Sequence, residues 1–339
     1  MHPSPQPRDH VFIVDGTLST LAPGDETNAG LLYKLLSENG PEAGRVVRHH
    51  AGVQGKRLDK WLRAASGAGI NDAICAGYAE LCSRWAPGDR IFLFGYSRGA
   101  YAVRSLAGLI DRVGLLTREN AIERRVQRAF RHYQRAALAA PALRAFARRF
   151  CHRETPRIEM IGAWDTVKAL GLPWPVLSRI HPMATEFHDD RLGASVRNAF
   201  HALALDEDRT AFAPVMWRPA PDWRGRLEQV WFPGAHGDVG GHVGRRVEAR
   251  PLSNLSLVWM LERAERCGLA LPEDWRARFA VDPCAPMIGA RNGVGRLFLF
   301  RAPRRVSAAN GEDLHWSVAA RMEGLPGYRP RAVGLEAEA

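Results

Sequence analysis

The chain has 339 residues, 46% of them hydrophobic and 24% charged, enough to bury the core of one large domain or two small ones. It contains no apolar run of about 18 residues or more, and its opening MHPSPQPRDH lacks the apolar core of a signal peptide; this excludes a membrane-spanning helix and predicts a chain that is cytoplasmic as synthesised. The net charge of +11 is carried almost wholly by arginine, since Lys34, Lys56, Lys60 and Lys168 are the only lysines; such a field suits an anionic membrane surface or another polyanion, and equally a solvated outer face.

Cys75, Cys82, Cys151, Cys267 and Cys284 are odd in number and form no CxxC pair, which predicts neither a disulfide framework nor a zinc site. Cys75 and Cys82 lie seven apart on a predicted helix and therefore share one packed face.

HVFIVDGTLS (10–19) reads as a buried strand stopped by an Asp-Gly-Thr turn. ETNAGLLYKLLSENG (26–40) is a helix, capped by Thr27 or Asn28 and closed by Gly40. GRVVRHHAGVQG (44–55) suggests a second strand and INDAICAGYAELCSRW (70–85) a second helix, and PGD then turns the chain into the apolar strand RIFLFG (90–95). Residues 117–150 keep helical spacing at Ile122, Val126, Phe130 and Tyr133, carry arginine on the other faces, and are broken by Pro141. PRIEMIGAWDTV (156–167) is a further strand with a polar exit.

The Pro- and aromatic-rich stretch 171–190 suits a lid over a site, and 191–209 reads as mostly helical. AFAPVMW (211–217) and LEQVWFPGAHGDVGG (227–241) read as two more strands, the second ending in a glycine-rich turn that would give His236 an exposed, mobile perch. SNLSLVWMLERAERCGL (253–269) is a core helix capped by Ser253 and closed by Gly268, and the chain from about 280 onward is loop-rich. Continuous apolar strands separated by helices imply the α/β class, with a mostly parallel central sheet covered by helices on both faces. The expected organisation is a disordered tail over 1–9, one domain over 10–330 with cap or lid insertions at about 117–150 and 171–200, and a tail over 331–339.

Gly95-Tyr96-Ser97-Arg98-Gly99 matches G-x-S-x-G between an apolar strand and a helix. There a serine sits on a tight, strained turn, and glycines two residues either side keep side chains off the strand and helix. The turn lifts the hydroxyl above the sheet and aims helix-start amides, Arg98 first, at an oxygen bound beside it.

A serine needs a base, and the base needs a carboxylate to orient it. In this arrangement they follow in the order Ser, Asp or Glu, His, at the ends of later strands. Asp165 and His236 stand at such exits; His201 is a second candidate base, and Asp238 or Asp206 alternative carboxylates, with Asp238 equally able to bind its own turn's amides. The second oxyanion donor is expected from the exit of the first strand, where Gly16 and Thr17 offer amides and Asp15 could brace the loop.

Taken in order, FIVDGT, TN opening a helix, PGDRIFLFGYSRGAYAVRSLAGLI, IGAWDTV, HALALDEDR, WFPGAHGDVGGH, LSLVWMLERAERCGL and LHWSVAARM…GYRP resemble a bacterial and fungal α/β-hydrolase family that includes the first class of type VI secretion phospholipase effectors. The resemblance spans about residues 10–330, and GYSRGA and WFPGAHGDVGG are its most specific parts. It implies an α/β-hydrolase with a Ser-Asp-His triad, phospholipase A activity on membrane glycerophospholipids without a cofactor, export by a type VI secretion system, and a cognate immunity protein as partner.

Two other functions compete with a serine ester hydrolase. Asp15, Asp165, His236, Asp238 and His242 could converge as ligands of a metal-dependent phosphoesterase. Alternatively, an inactive hydrolase scaffold could serve as a basic binding protein, though no basic region interleaved with stacking aromatics points to nucleic acid.

Overall fold

The computed structural model describes residues 7–38, 40, 44–52, 68–135, 140–167, 191–292, 295–296 and 298–334. Among them seven strands form one sheet: β1 (Asp9–Val14), β2 (Arg45–His50), β3 (Arg90–Tyr96), β4 (Arg157–Trp164), β5 (Asn198–Ala204), β6 (Arg226–Phe232) and β7 (Glu312–Leu314). Their order is β2-β1-β3-β4-β5-β6-β7, and every neighbouring pair is parallel. The chain therefore steps outward from β1 to β2 and returns across β1 to β3. That reversal opens a crevice at the carboxyl ends of β1 and β3, where open α/β sheets bind ligands.

The helices among the described residues are α1 (Asn28–Ser37), α2 (Ala68–Arg84), α3 (Arg98–Val113), α4 (Glu123–Gln134), α5 (Ala140–Phe150), α6 (His236–Gly240), α7 (Arg250–Arg266), α8 (Trp275–Arg278) and α9 (Trp316–Gly324). Successive strand side chains point to opposite faces, and the core divides accordingly. Phe12, Val14, Ile91 and Leu93 pack with residues of α2 and α3, such as Tyr78 and Leu106. Val11, Ile13, Phe92 and Phe94 pack with residues of α1 and α7, such as Leu35 and Met260. Each fully buried side chain of this size contributes about 1.5–3 kcal/mol. The central strands read as unbroken apolar runs because both faces are covered, the α/β-hydrolase class expected from the sequence.

Thr27 caps α1, its side chain accepting from the Gly30 amide, while the Asn28 amide group holds Val239 O, Ser253 O and Ser256 Oγ. All five cysteines are free thiols. Among the described residues no helix is long and apolar enough to cross a membrane.

Several expectations are corrected. Residues 198–204 form the strand β5, not a helix, because this short apolar run is sandwiched between two faces of core, with Ala199 on one and Phe200 and Ala202 on the other. Residues 211–217 contribute no strand; a single bridge joins Pro214 to Val167, and a proline has no N–H to extend a ladder. Helix α7 begins at Arg250 with Pro251 in its first turn, leaving Ser253 buried in the helix rather than capping it.

Pro141 likewise sits in the first turn of α5 instead of ending α4. Helices α4 and α5 lay Val126, Phe130, Tyr133 and Phe146 against α2 and α3, and none of the hydrogen bonds or ring contacts of Ser97, Asp165 and His236 comes from them. The expected lid at 171–190 lies outside the described residues. The first strand starts at Asp9, inside the expected tail, and at the other end Val333 pairs with the backbone of Arg304 and Val306, so 331–334 belong to the packed structure. The loop-rich region after 280 also hides β7 and α9.

Candidate active site

Ser97 joins β3 to α3 at φ 58° and ψ −122°, a conformation L-residues rarely adopt. Its neighbours explain the glycines. A Cβ on Gly95 would stand 2.5 Å from Gly99 O, and one on Gly99 would stand 2.1 Å from Val14 O. Only bare backbone lets strand, turn and helix approach this closely. Ser97 N donates to Trp164 O at 2.9 Å, which ties the turn to the end of β4.

Asp165 follows β4, also at positive φ (41°), with its amide donating to Ala202 O at 2.8 Å. His236 follows β6 and opens α6. Its Nε2 lies 2.8 Å from Ser97 Oγ, and its Nδ1 lies 2.6 Å from Asp165 Oδ2. All three side chains are buried, Ser97 retaining 7% of its surface. The perch of His236 is thus closed rather than exposed. The surrounding glycines serve close packing: a Cβ on Gly240 would meet the Tyr96 ring at 1.9 Å, and Gly241 takes φ 79°.

Two aromatic rings flank the imidazole of His236, whose backbone is anchored as well. The Tyr96 ring lies against it, the Phe212 ring meets it edge-on at 4.9 Å, and the Glu207 carboxylate accepts the His236 amide at 3.2 Å. Burial alone would raise the Asp165 pKa. The Arg304 charge and the hydrogen bonds from His236 and Arg304 outweigh it and hold the carboxyl below its usual range. An ionised Asp165 fixes the proton of the neutral ring on Nδ1 and leaves Nε2 to accept from Ser97.

The alternative residues have other tasks. His201 sits within β5, fully buried, its Nε2 accepting the Thr166 amide at 3.0 Å and its ring edge-on to Trp217; it makes no bond to Ser97. Burial, then the Arg104 charge, pushes its pKa down to about 3, so it is a neutral core residue. Asp238 accepts from the amides of Ala235, Ile288 and Gly289 and does not reach the His236 ring. Asp206 accepts from the Gly234 amide and the Tyr328 hydroxyl.

At the exit of β1, Asp15 Oδ1 accepts from the Gly16 amide and the Thr27 hydroxyl, both at 2.7 Å. The Gly16 amide is therefore engaged by the residue expected to brace it, a correction to its assignment as an oxyanion donor. Arg98 opens α3 directly after Ser97, and its guanidinium donates to Thr17 Oγ1, linking the two loops expected to carry donors. Among the described residues no three His, Cys, Asp or Glu side chains form a group able to hold a metal ion, so the five ligands imagined for a phosphoesterase do not assemble.

Sequence reasoning missed Arg304. Its Nη1 donates to Asp165 Oδ1 at 2.6 Å and its Nη2 to Asp165 Oδ2 at 2.9 Å, and it also reaches Ala204 O and Phe212 O. No periodicity marks an isolated arginine in an arginine-rich, irregular stretch. Tyr96, the x of the G-x-S-x-G motif, and Glu207 were equally unmarked.

A parallel sheet with a strained serine at the end of one strand and a carboxylate–imidazole pair at the ends of two later strands defines an α/β-hydrolase scaffold. The chain belongs to the family described as T6SS, Phospholipase effector Tle1-like, catalytic domain, whose model matches residues 8–263. It is 27% identical over 235 residues to Uncharacterized protein YEL023C of Saccharomyces cerevisiae, covering 62% of this chain and 33% of that protein. Among solved structures it is similar to an uncharacterized protein from Pseudomonas aeruginosa (TM-score 0.45, 16% identity, 81% of this chain and 49% of the other). It is also similar to the Tle1 effector bound to the VgrG spike from the type 6 secretion system (TM-score 0.38, 17% identity, 69% of this chain and 51% of the other). The chain thus spans a third of the yeast relative and about half of each solved chain.

Proposed function

We propose that the protein is a serine ester hydrolase of the phospholipase A type, releasing fatty acid from membrane glycerophospholipids. The observation that carries this is the continuous array Ser97 Oγ, His236 Nε2, His236 Nδ1, Asp165 Oδ2, with spacings of 2.8 and 2.6 Å at its two hydrogen bonds. Ser97 Oγ attacks the acyl carbonyl while His236 Nε2 takes its proton; the resulting imidazolium protonates the departing lysophospholipid oxygen. Water, deprotonated by the same nitrogen, then cleaves the acyl-enzyme. The amides of Arg98 and Thr17 stabilise the oxyanion, a donor of this kind contributing about 2.7–4 kcal/mol to barrier lowering.

The lipid substrate rests on membership of the phospholipase effector family. In this reading residues 9–334 act as one catalytic unit. Membership of a family of type VI secretion phospholipase effectors supports export of this chain by such machinery, where a cognate immunity protein would protect the producing cell.

A fluorophosphonate probe tests the chemistry. It is expected to label the wild-type chain and not Ser97→Ala, with chelator making no difference, and fatty acid release from phospholipid vesicles should follow the labelling. Labelling of Ser97→Ala at the wild-type rate, or loss of activity on chelation, would overturn the proposal.

A further inference from the structure

Residues 300–306 run past the carboxyl end of β5, tied there by Thr210 N to Phe300 O and Ala302 N to Asp208 O, and then pair with Val333. This stretch lies beyond residues 8–263, the part matched by the family's catalytic domain. From it Arg304, only 6% exposed, extends over the Trp231 ring to the Asp165 carboxylate. The carboxylate is then saturated. Oδ1 accepts from Arg304 and the Ala204 amide, and Oδ2 from Arg304 and His236.

The two-point guanidinium contact fixes the carboxylate plane, and with it the direction from which Oδ2 meets the imidazole. A carboxylate held only by Ala204 and His236 could rotate about its side-chain bond, and a misplacement of about 1 Å in a catalytic group costs on the order of 10²-fold in rate. The contact also places a positive charge against the carboxylate, opposing its negative charge in the buried site.

We propose that Arg304 is a positioning residue of the active site, acting through Asp165 to fix the orientation of His236 toward Ser97. The proposal rests on the serine hydrolase reading above. Other charged or titratable groups also face the pair: Tyr96 from β3, His201 from β5, Glu207 with its partner Arg209 from the loop after β5, and His242 from the turn after α6. Of these, none bonds to the Asp165 carboxylate, whereas Arg304 makes two such bonds.

The test compares wild type, Arg304→Lys and Arg304→Met by ester kcat/KM against pH and by fluorophosphonate labelling, with thermal unfolding alongside. Arg304→Met should lose about 10²-fold in kcat/KM, and its acid limb should move up by about one pH unit, because the unopposed Asp165 charge raises the imidazole pKa. Arg304→Lys keeps the charge but not the fork, so its limb should stay near wild type while its rate falls. In an Asp165→Asn background, Arg304→Met should cost little more, since the group it acts through is already gone. Should Arg304→Met fold poorly, the Lys variant and the Asn background still decide the matter. Wild-type rates and limbs in both Arg304 variants, or losses that multiply fully in the double variant, overturn the proposal while leaving the hydrolase reading standing. A wild-type chain that neither labels nor turns over any ester removes both.

Discussion

The Tyr96 hydroxyl donates to the His236 carbonyl at 3.2 Å while its ring lies against the imidazole, centroids 4.9 Å apart and planes 32° from parallel. The same ring fills the space that side chains at Gly16 and Gly240 would occupy, with hypothetical Cβ contacts of 2.6 and 1.9 Å. Tyr96 is thus a wedge between the β1 exit and α6, and it sets the height of the His236 imidazole above Ser97. Tyr96→Phe keeps the wedge and loses one buried hydrogen bond, so unfolding free energy should fall by about 1 kcal/mol with a modest loss of rate. Gly240→Ala forces the ring to move and should cost about 1–3 kcal/mol together with most of the activity. Denaturant melts and ester assays on the two variants check this; equal effects would argue against the wedge.

Strain at Ser97 gives a second prediction. Its φ of 58° is held by the close packing of Gly95 and Gly99 and disfavours any side chain. Ser97→Gly removes that penalty, of about 1–3 kcal/mol, less the entropy glycine loses on folding, about 0.5–1 kcal/mol. The variant should be inactive yet melt at a higher temperature than wild type. A lower melting temperature would mean that the turn stores no strain.

Much of this arrangement was legible in the chain. Ser97, Asp165 and His236 were each placed where an apolar run ends in small or polar residues, and β3, β4 and β6 carry them to one edge of the sheet. The strand under His201 was not legible, because a short apolar run buried on both sides has no period to separate strand from helix. The glycines around His236 suggested an exposed loop because their cause, the Tyr96 ring, lies 140 residues away in sequence. Arg304 was invisible for a similar reason: its partner Asp165 is 139 residues earlier, and arginine is the commonest charge in the chain.

Asp165 and Arg304 form a buried pair shared with His236, and removing one partner strands the other. Asp165→Asn leaves an uncompensated guanidinium in the core and should cost about 3–5 kcal/mol of stability besides abolishing most turnover. The folded-state pKa of Asp165 lies below its unfolded value, so its contribution is present above about pH 3.9 and is lost as pH falls further through the folded value. Stability of Asp165→Asn should therefore depend less on pH in that acid range. A variant as stable as wild type at neutral pH would show that the pair is not structural.

A further acid sensitivity is expected at milder pH, from His201. Its folded pKa is depressed to about 3 by burial and by the Arg104 charge. The unfolded imidazole titrates near about 6.5. Between those values the unfolded chain binds a proton that the native chain refuses, so stability rises with pH across this window and falls as pH drops through it, by up to about 1.4 kcal/mol per unit. His201→Gln keeps an acceptor for the Thr166 amide and does not titrate, so it should flatten the stability profile between about pH 6.5 and 3 while leaving ester hydrolysis at neutral pH within a few-fold of wild type. Chemical denaturation at a series of pH values, paired with one activity measurement at neutral pH, decides the point: an unchanged slope would place the acid sensitivity elsewhere, and loss of the neutral-pH activity would return His201 to consideration as a base.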